Sequence, residues 1–363
     1  MPTKRRGHHE GSIRERADGT WEARISLPGG KRRSFYGKTR KEAQDALRAA
    51  LRDVDAGVDL GTGRQTVAQY LAKWLEASVR PSVRVRTAEG YESIVRVRVV
   101  PRLGRIQLTR LTPLDLQGLY AALEAGGLSR RSVQQTHRCL HRAFDQAVRW
   151  GMLNRNPCDG TTPPQAARTE MRVLSQDQVD ILIDSTRDHP AHALYVLAVT
   201  TGMRAGELMG LKWGDVDLAG SALFVRRALQ RQNAGGLVFV EPKTGRSRRR
   251  IVLSRVAIAA LRLHRKAQLE RRLFHGEDWQ DLDLVFCGAD GRPADPSWQR
   301  QVFYTVMKTA GLPAMRFHDL RHTAATLLLS KGVHPKVVSE MLGHATITLT
   351  LDTYSHLLPA MHG

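Results

Sequence analysis

Residues 318–358 read HDLRHTAATLLLSKGVHPKVVSEMLGHATITLTLDTYSHLL. His318 stands one helical turn before Arg321, which places the imidazole and the guanidinium on neighbouring positions where a helix begins. Gly343 follows Leu342 and reads as a helix stop that projects His344 from a tight turn. Tyr354 comes ten residues later, close enough to share a pocket with that histidine. Upstream, Arg204 lies in TGMRAGEL (201–208), just after the apolar helix expected over Leu194–Val199, and Lys243 lies in PKTGRSRRR (242–250) between strand-like runs.

These residue types suit the exchange of one phosphodiester for another, which needs charge on the nonbridging oxygens, a nucleophile and a proton for the leaving oxygen. Arg204 and Arg321 are permanently charged planar forks that fit phosphate, a pair able to take the place of divalent ions. A hairpin Lys243 suits a general acid, and His344 suits a hydrogen-bond donor to phosphate. Two neighbouring guanidiniums are expected to favour the phenolate of Tyr354, whose ordinary pKa is about 10. Taken singly, each has a plainer reading: Arg204 as the ion-pair partner of Glu207, the histidines as caps or core residues, Lys243 as one more basic loop residue, Tyr354 as packing.

The remainder of the chain divides by pattern. Residues 1–60 read as three short antiparallel strands, Ser12–Arg16, Trp21–Leu27 and Arg32–Tyr36, with turns at Asp18-Gly19 and Pro28-Gly29-Gly30. A helix capped by Thr39 and Glu42 follows and covers one side of the sheet. Arg14, Arg24, Arg32 and Arg33 are expected on the other side, as a ribbon for a DNA groove. A glycine-rich linker, Asp55–Gly63, leads to a helical bundle over 64–160. Its helices are expected over Thr66–Ser78, Ala88–Val100, Pro113–Ala125 and Arg130–Trp150, with Thr87, Thr112 and Ser129 as caps. Its basic residues Arg80, Arg84, Arg86, Arg96, Arg98, Arg130, Arg131 and Arg138 point to a DNA-facing surface. An Asn-Pro and Pro-Pro connector, Asn154–Thr169, precedes a third domain over 170–363, helical with an inserted antiparallel sheet between Ala222 and Leu253. The fold class expected is mainly α with small antiparallel β-sheets (α+β).

Composition narrows the partners. A formal net charge of +21 over 363 residues favours a polyanion, nucleic acid before membrane, since no stretch approaches the roughly 20 apolar residues of a span. The N-terminal Lys4, Arg5 and Arg6 lack the apolar run of a secretory signal, and three unpaired cysteines, Cys139, Cys158 and Cys287, fit a reducing compartment, so a cytoplasmic, DNA-associated protein is expected. His8 and His9 have no neighbouring ligands for a metal. Asp177, Asp215, Asp217 and Asp319 sit in turn or helix-start contexts and do not make the carboxylate cluster of a metal-dependent nuclease.

In order and local context, the chain resembles the tyrosine recombinase family of phage-type integrases. There an arginine in a TG-x-R-x-GEL setting, a hairpin lysine, an H-x-x-R helix, an LGH turn and a C-terminal tyrosine form one active site. Arg204, Lys243, His318 with Arg321, His344 and Tyr354 occupy those places in the same order, over roughly Leu174–Leu358. Gly245 beside the lysine is a departure that loosens the hairpin.

The resemblance implies three domains (an arm-type DNA-binding domain, a core-binding domain and a catalytic domain) and strand exchange through a 3′-phosphotyrosyl link to Tyr354, with no metal or nucleotide cofactor. It also implies double-stranded DNA with core and arm-type sites as partner, a homotetramer on two duplexes, and accessory DNA-bending or excision factors. Leu357 and Leu358 form an apolar tail that docks either on a neighbouring subunit or in its own domain. Two other readings share the pocket: a type IB topoisomerase-like strand relaxation, which needs no paired sites, and a non-catalytic DNA-binding regulator, whose mark is a decayed pocket.

Overall fold

The computed structural model describes residues 11–26, 32–55, 65–167, 171–233, 235–241, 248–344 and 346–354. The Pro28-Gly29-Gly30 turn, nearly all of the glycine-rich linker, Lys243, and the Leu357-Leu358 tail lie outside the described residues. The chain forms two compact units, residues 1–168 and 169–363.

The first unit opens with an antiparallel sheet in the order β1 (Ser12–Glu15), β2 (Trp21–Ser26), β3 (Arg32–Gly37), followed by α1 (Arg40–Asp55). Strand alternation sends Ala23 and Ile25 of β2 toward Ala43 and Leu47 of α1, with Ile13, Trp21 and Phe35 packed around them. The opposite face carries Arg14, Arg24 and Arg32, but not Arg33. Arg33 is paired in register with Ile25, on the α1 side, and its guanidinium lies 5.6 Å from the centre of the Phe35 ring. Arg32 and Arg33 are consecutive, so the pleat forces them apart, and the expected ribbon loses one member.

A second core in this unit belongs to a helical bundle. Thr66 caps α2 (Val67–Trp74) in a capping box with Gln69, and the helix continues through a π-helical turn, Leu75–Val79, into α3 (Arg80–Ser82). Next, α4 (Val85–Ser93) passes through a second π-helical stretch, Ile94–Val99, into α5 (Val100–Leu103). This helix starts two residues before the expected cap Thr87, with Arg84 as N-cap. Thr112 and Ser129 do cap α6 (Pro113–Ala125) and α7 (Arg130–Arg149). Tyr70, Trp74, Leu116, Leu140 and Phe144 fill the centre. Arg98 is half-buried, and its Nη1 donates to the Ser132 carbonyl and the Thr136 hydroxyl, tying the second π-helical stretch to α7. Cys139 and Cys158 are buried, and burial pushes their thiols up to about 12, in keeping with packing residues.

The second unit is built around α9 (His192–Thr201), whose residues 193–199 are all buried. Around it pack α8 (Gln176–Ser185), α10 (Ala205–Met209), α11 (Arg255–His275), α12 (Pro296–Thr309) and α13 (Asp319–Ser330). α14 (Pro335–Leu342) and α15 (Ile347–Tyr354) close the chain over a smaller core.

The strand-rich insertion is two sheets where one was expected. β4 (Val216–Asp217), β5 (Ala222–Val225) and β8 (Arg249–Val252) form one in the order β4-β5-β8, and β6 (Ala228–Gln232) pairs with β7 (Gly236–Val240) in a separate hairpin. Arg226 and Arg227, between β5 and β6, both bind the buried carboxylate of Asp215 where the chain passes from one ladder to the other. Among the described residues no helix is long and apolar enough to cross a membrane.

Candidate active site

Gly202 ends α9 in the left-handed conformation (φ +60°), which lets the chain turn at once into α10 with Arg204 at its N-cap. The same turn turns the Gly202 carbonyl toward Arg321, whose Nη1 donates to it at 2.7 Å. The Nη2 of Arg321 donates to the Leu342 carbonyl at 2.8 Å, one residue before the left-handed Gly343 that ends α14. Arg204 Nη2 donates to the Gly343 carbonyl at 3.3 Å. Two chain turns, far apart in sequence, thus meet on two guanidiniums, with His344 on the next residue of the second turn.

Arg321 is 4% exposed, and burial together with the Arg204 charge pulls its guanidinium down; an arginine so placed still keeps its proton at neutral pH. His344 is lowered to about 4, chiefly by burial and then by Arg321 and Arg204, and its Nδ1 lies 2.8 Å from the Thr350 hydroxyl. His318 is exposed at the start of α13 and is also lowered, by partial burial and the Arg321 charge. Both rings are neutral at neutral pH, so each offers one N–H donor and one acceptor.

Tyr354 is 1% exposed, packed with Ala325, Leu329, Val338 and Leu342. Here the expectation of an acidified phenol is overturned. Burial raises its pKa to about 12, and the Arg321 charge offsets this only in part. The phenol therefore holds its proton at neutral pH.

Two residues absent from the sequence reading belong to the cluster. His322 Nδ1 lies 2.7 Å from the Tyr354 hydroxyl. Arg249, its side chain 6% exposed, donates to Glu207 at 2.8 Å through Nη2 and to the Met341 carbonyl through Nε. Glu207 is also bound by Arg204 Nη1 at 2.7 Å and by the Arg204 backbone N–H at 3.0 Å, so one buried carboxylate joins two arginines. The plainer reading of Arg204 as the partner of Glu207 is thus also correct. Each omission had a signal in the chain. His322 follows His318 by four residues on one helix face, and Arg249 shares strand parity with the buried Ile251 and Leu253.

The structure brings Arg204, His318, Arg321, His344 and Tyr354 together in the second unit; Lys243 is outside the described residues. Asp215 and Asp319 are engaged by Arg226, Arg227 and Arg316, Asp217 accepts from the Gly220 backbone, and among the described residues no group of three or more His, Cys, Asp or Glu is arranged to hold a metal ion.

On the basic faces of the first unit, Arg14 and Arg24 flank Glu22, a carboxylate 3% exposed and held down at about 2 by hydrogen bonds from Ser34, Arg14 and Arg24. Arg84, Arg86, Arg130 and Arg131 are exposed on the helical bundle, with Arg86 paired to Glu89 and Arg130 to Glu124.

Comparison with known proteins agrees along the whole chain. The profile described as the phage integrase family matches residues 172–361, and that of the phage integrase N-terminal SAM-like domain matches 66–123. A tyrosine recombinase XerC-like protein of Caldanaerobacter subterraneus subsp. tengcongensis is 31% identical over 90% of this chain and 88% of its own length. An integrase of Streptomyces ambofaciens is 31% identical over 97% and 93%. Among solved structures, the Tn1549 transposon integrase in complex with circular intermediate DNA aligns with a TM-score of 0.67 at 24% identity, over 80% of this chain and 94% of that one. A lambda integrase tetramer bound to a Holliday junction aligns with a TM-score of 0.58 at 18% identity, over 96% of each chain, a likeness of fold.

Proposed function

This chain belongs to the phage integrase family and is a tyrosine-type site-specific DNA recombinase of mobile elements, and we propose that Tyr354 is its nucleophile. In this reading the phenolic oxygen attacks the scissile phosphorus and forms a 3′-phosphotyrosyl link. Arg204 and Arg321 hold the nonbridging oxygens, His318 and His344 donate hydrogen bonds to them, and Lys243 protonates the leaving 5′-oxygen. A 5′-hydroxyl from a partner strand then displaces the tyrosine. One phosphoester replaces another at each step, so bond energy is retained without a nucleotide.

The observation that carries this reading is the convergence of Arg204, Arg321, His344 and Tyr354 on the chain turns at 202–204 and 342–344. The N-terminal sheet, residues 1–60, is the arm-type DNA-binding domain, with Arg14, Arg24 and Arg32 toward DNA. The bundle, 64–160, binds the core site through Arg84, Arg86, Arg130 and Arg131, and residues 170–363 form the catalytic domain. Four subunits act on two duplexes in the cytoplasm, assisted by DNA-bending or excision factors.

The test is Tyr354→Phe on a nicked suicide duplex spanning the core site of the chain's own element. The variant binds the duplex with unchanged affinity and forms no covalent adduct. An adduct that persists in the variant removes Tyr354 from its role.

A further inference from the structure

The nucleophile poses a proton problem. A phenol raised to about 12 by burial is almost wholly protonated at neutral pH, and attack through a neutral hydroxyl leaves a proton on an oxygen that is becoming a phosphoester. Lys243, as the acid for the leaving oxygen, does not serve; a base is needed on the other side of the phosphorus.

Three imidazoles surround the pocket, and their surroundings differ. His344 has its Nδ1 on the Thr350 hydroxyl. His318 is exposed and sits under the charges of Arg321 and Arg204, the phosphate side of the cluster. His322 is half-buried, stands edge-on to the His318 ring at 5.5 Å between centres, and has its Nδ1 2.7 Å from the Tyr354 oxygen. The phenol holds its proton, so the O–H donates and Nδ1 accepts, with the ring hydrogen on Nε2. Burial and the neighbouring His318 keep His322 below its usual value, so the accepting neutral form prevails at neutral pH.

Helix geometry makes the arrangement rigid. Arg321 and His322 are consecutive residues of α13 and turn about 100° apart, one toward the turns that cradle phosphate, the other toward the phenol. A single helix thus sets the distance between the charge clamp and the proton acceptor.

We propose that His322 is the proton acceptor for Tyr354, a catalytic residue beyond the set read from the motifs; the proposal rests on Tyr354 being the nucleophile. As the Oη–phosphorus bond forms, the phenol proton passes to His322 Nδ1 and gives an imidazolium. The bond from phosphorus to the 5′-oxygen breaks, and that oxygen takes its proton from Lys243. In rejoining, the incoming 5′-hydroxyl loses its proton to Lys243, and the imidazolium returns its own to the departing phenolate. Protons and charge balance over the cycle, and no further reactant is used. Asp319, one turn from the ring, offsets the new positive charge beside Arg321 and Arg316.

The experiment is single-turnover cleavage of the nicked suicide duplex, with either oxygen or bridging sulfur at the 5′ leaving position, by the full chain and by H322A, H322Q, K243A and Y354F. A thiolate leaves without a proton, so sulfur relieves loss of the acid and not loss of the base. H322A and H322Q bind DNA normally and cleave the oxygen duplex slower by about 10²- to 10⁴-fold, the usual contribution of a general base. The sulfur duplex restores K243A and leaves both His322 variants slow. Glutamine accepts the phenol hydrogen bond but not its proton, so a wild-type rate in H322Q overturns the proposal and reduces His322 to a positioning residue. Restoration of H322A by sulfur also overturns it, by moving His322 to the leaving-group side. An adduct formed by Y354F refutes the nucleophile itself, an outcome separate from either.

Discussion

Glu207→Ala gives the most instructive perturbation of the pocket, because the carboxylate is 5% exposed and holds two arginines at once. Removing it takes from Arg249, with its side chain 6% exposed, the carboxylate 2.8 Å from its Nη2, while the hydrogen bond to the Met341 carbonyl stays. Breaking a buried pair on one side costs about 3–5 kcal/mol. For a unit the size of residues 169–363, each kcal/mol moves the midpoint by about 2–4 °C, so a fall of roughly 6–20 °C is expected in that unit's transition.

The pH dependence carries a sign. Burial pushes the Glu207 carboxyl up, but the Arg249 hydrogen bond and charge, with the Arg204 backbone N–H, outweigh it and hold the group below its ordinary value of 4.5. A depressed carboxylate contributes stability that is complete above its unfolded pKa and is lost as pH falls through the lower folded value. The gap between the full chain and Glu207→Gln therefore closes in acid, below about pH 4.5. Differential scanning calorimetry across pH 3–7 reads both effects. A loss under 1 kcal/mol at neutral pH, or a gap that widens in acid, refutes the assignment of Glu207 as the charge that ties the two arginines together.

Gly202→Ala is expected to lower both stability and cleavage: the new methyl falls 2.5 Å from Leu342 Cδ2 at a residue with φ +60°, and overpacking costs about 1–3 kcal/mol. Melting and cleavage rates that match the parent's contradict the role of this turn in holding Arg321. Excess chelator leaves cleavage of the suicide duplex unchanged, since guanidiniums carry the phosphate charge; activity lost to chelator and restored by magnesium opposes this. Removal of residues before Gly63 weakens binding to distal arm sites, read by gel shift, and spares cleavage of a core site; loss of core cleavage breaks the modular reading.

Local signals carried much of the architecture. Thr112 and Ser129 cap helices because a hydroxyl at those places satisfies free N–H groups, whatever packs nearby. Gly343 stops a helix for an equally local reason. Long-range terms were harder to read. Nothing adjacent to Tyr354 foretells a burial strong enough to raise its pKa, and Asp215, which binds Arg226 and Arg227 at the step between the two ladders, lies 11 and 12 residues before them. In a run of three arginines, 248–250, only strand parity marks Arg249 as the inward one. Arg33 lies on the α1 side of the sheet for the same reason, because strand alternation and not charge decides which face a basic residue takes.

In the proposed reaction one phenolic oxygen, gathered with two guanidiniums, takes the phosphorus from a sugar. This step is tested most directly by trapping the full chain on the suicide duplex, digesting protein and DNA, and sequencing the adducted peptide by mass spectrometry. A single nucleotide-bearing peptide, joined through a 3′-phosphate to Tyr354 and formed without added metal, is the expected product. A nucleotide on any other side chain, or a 5′-phosphate linkage, contradicts it.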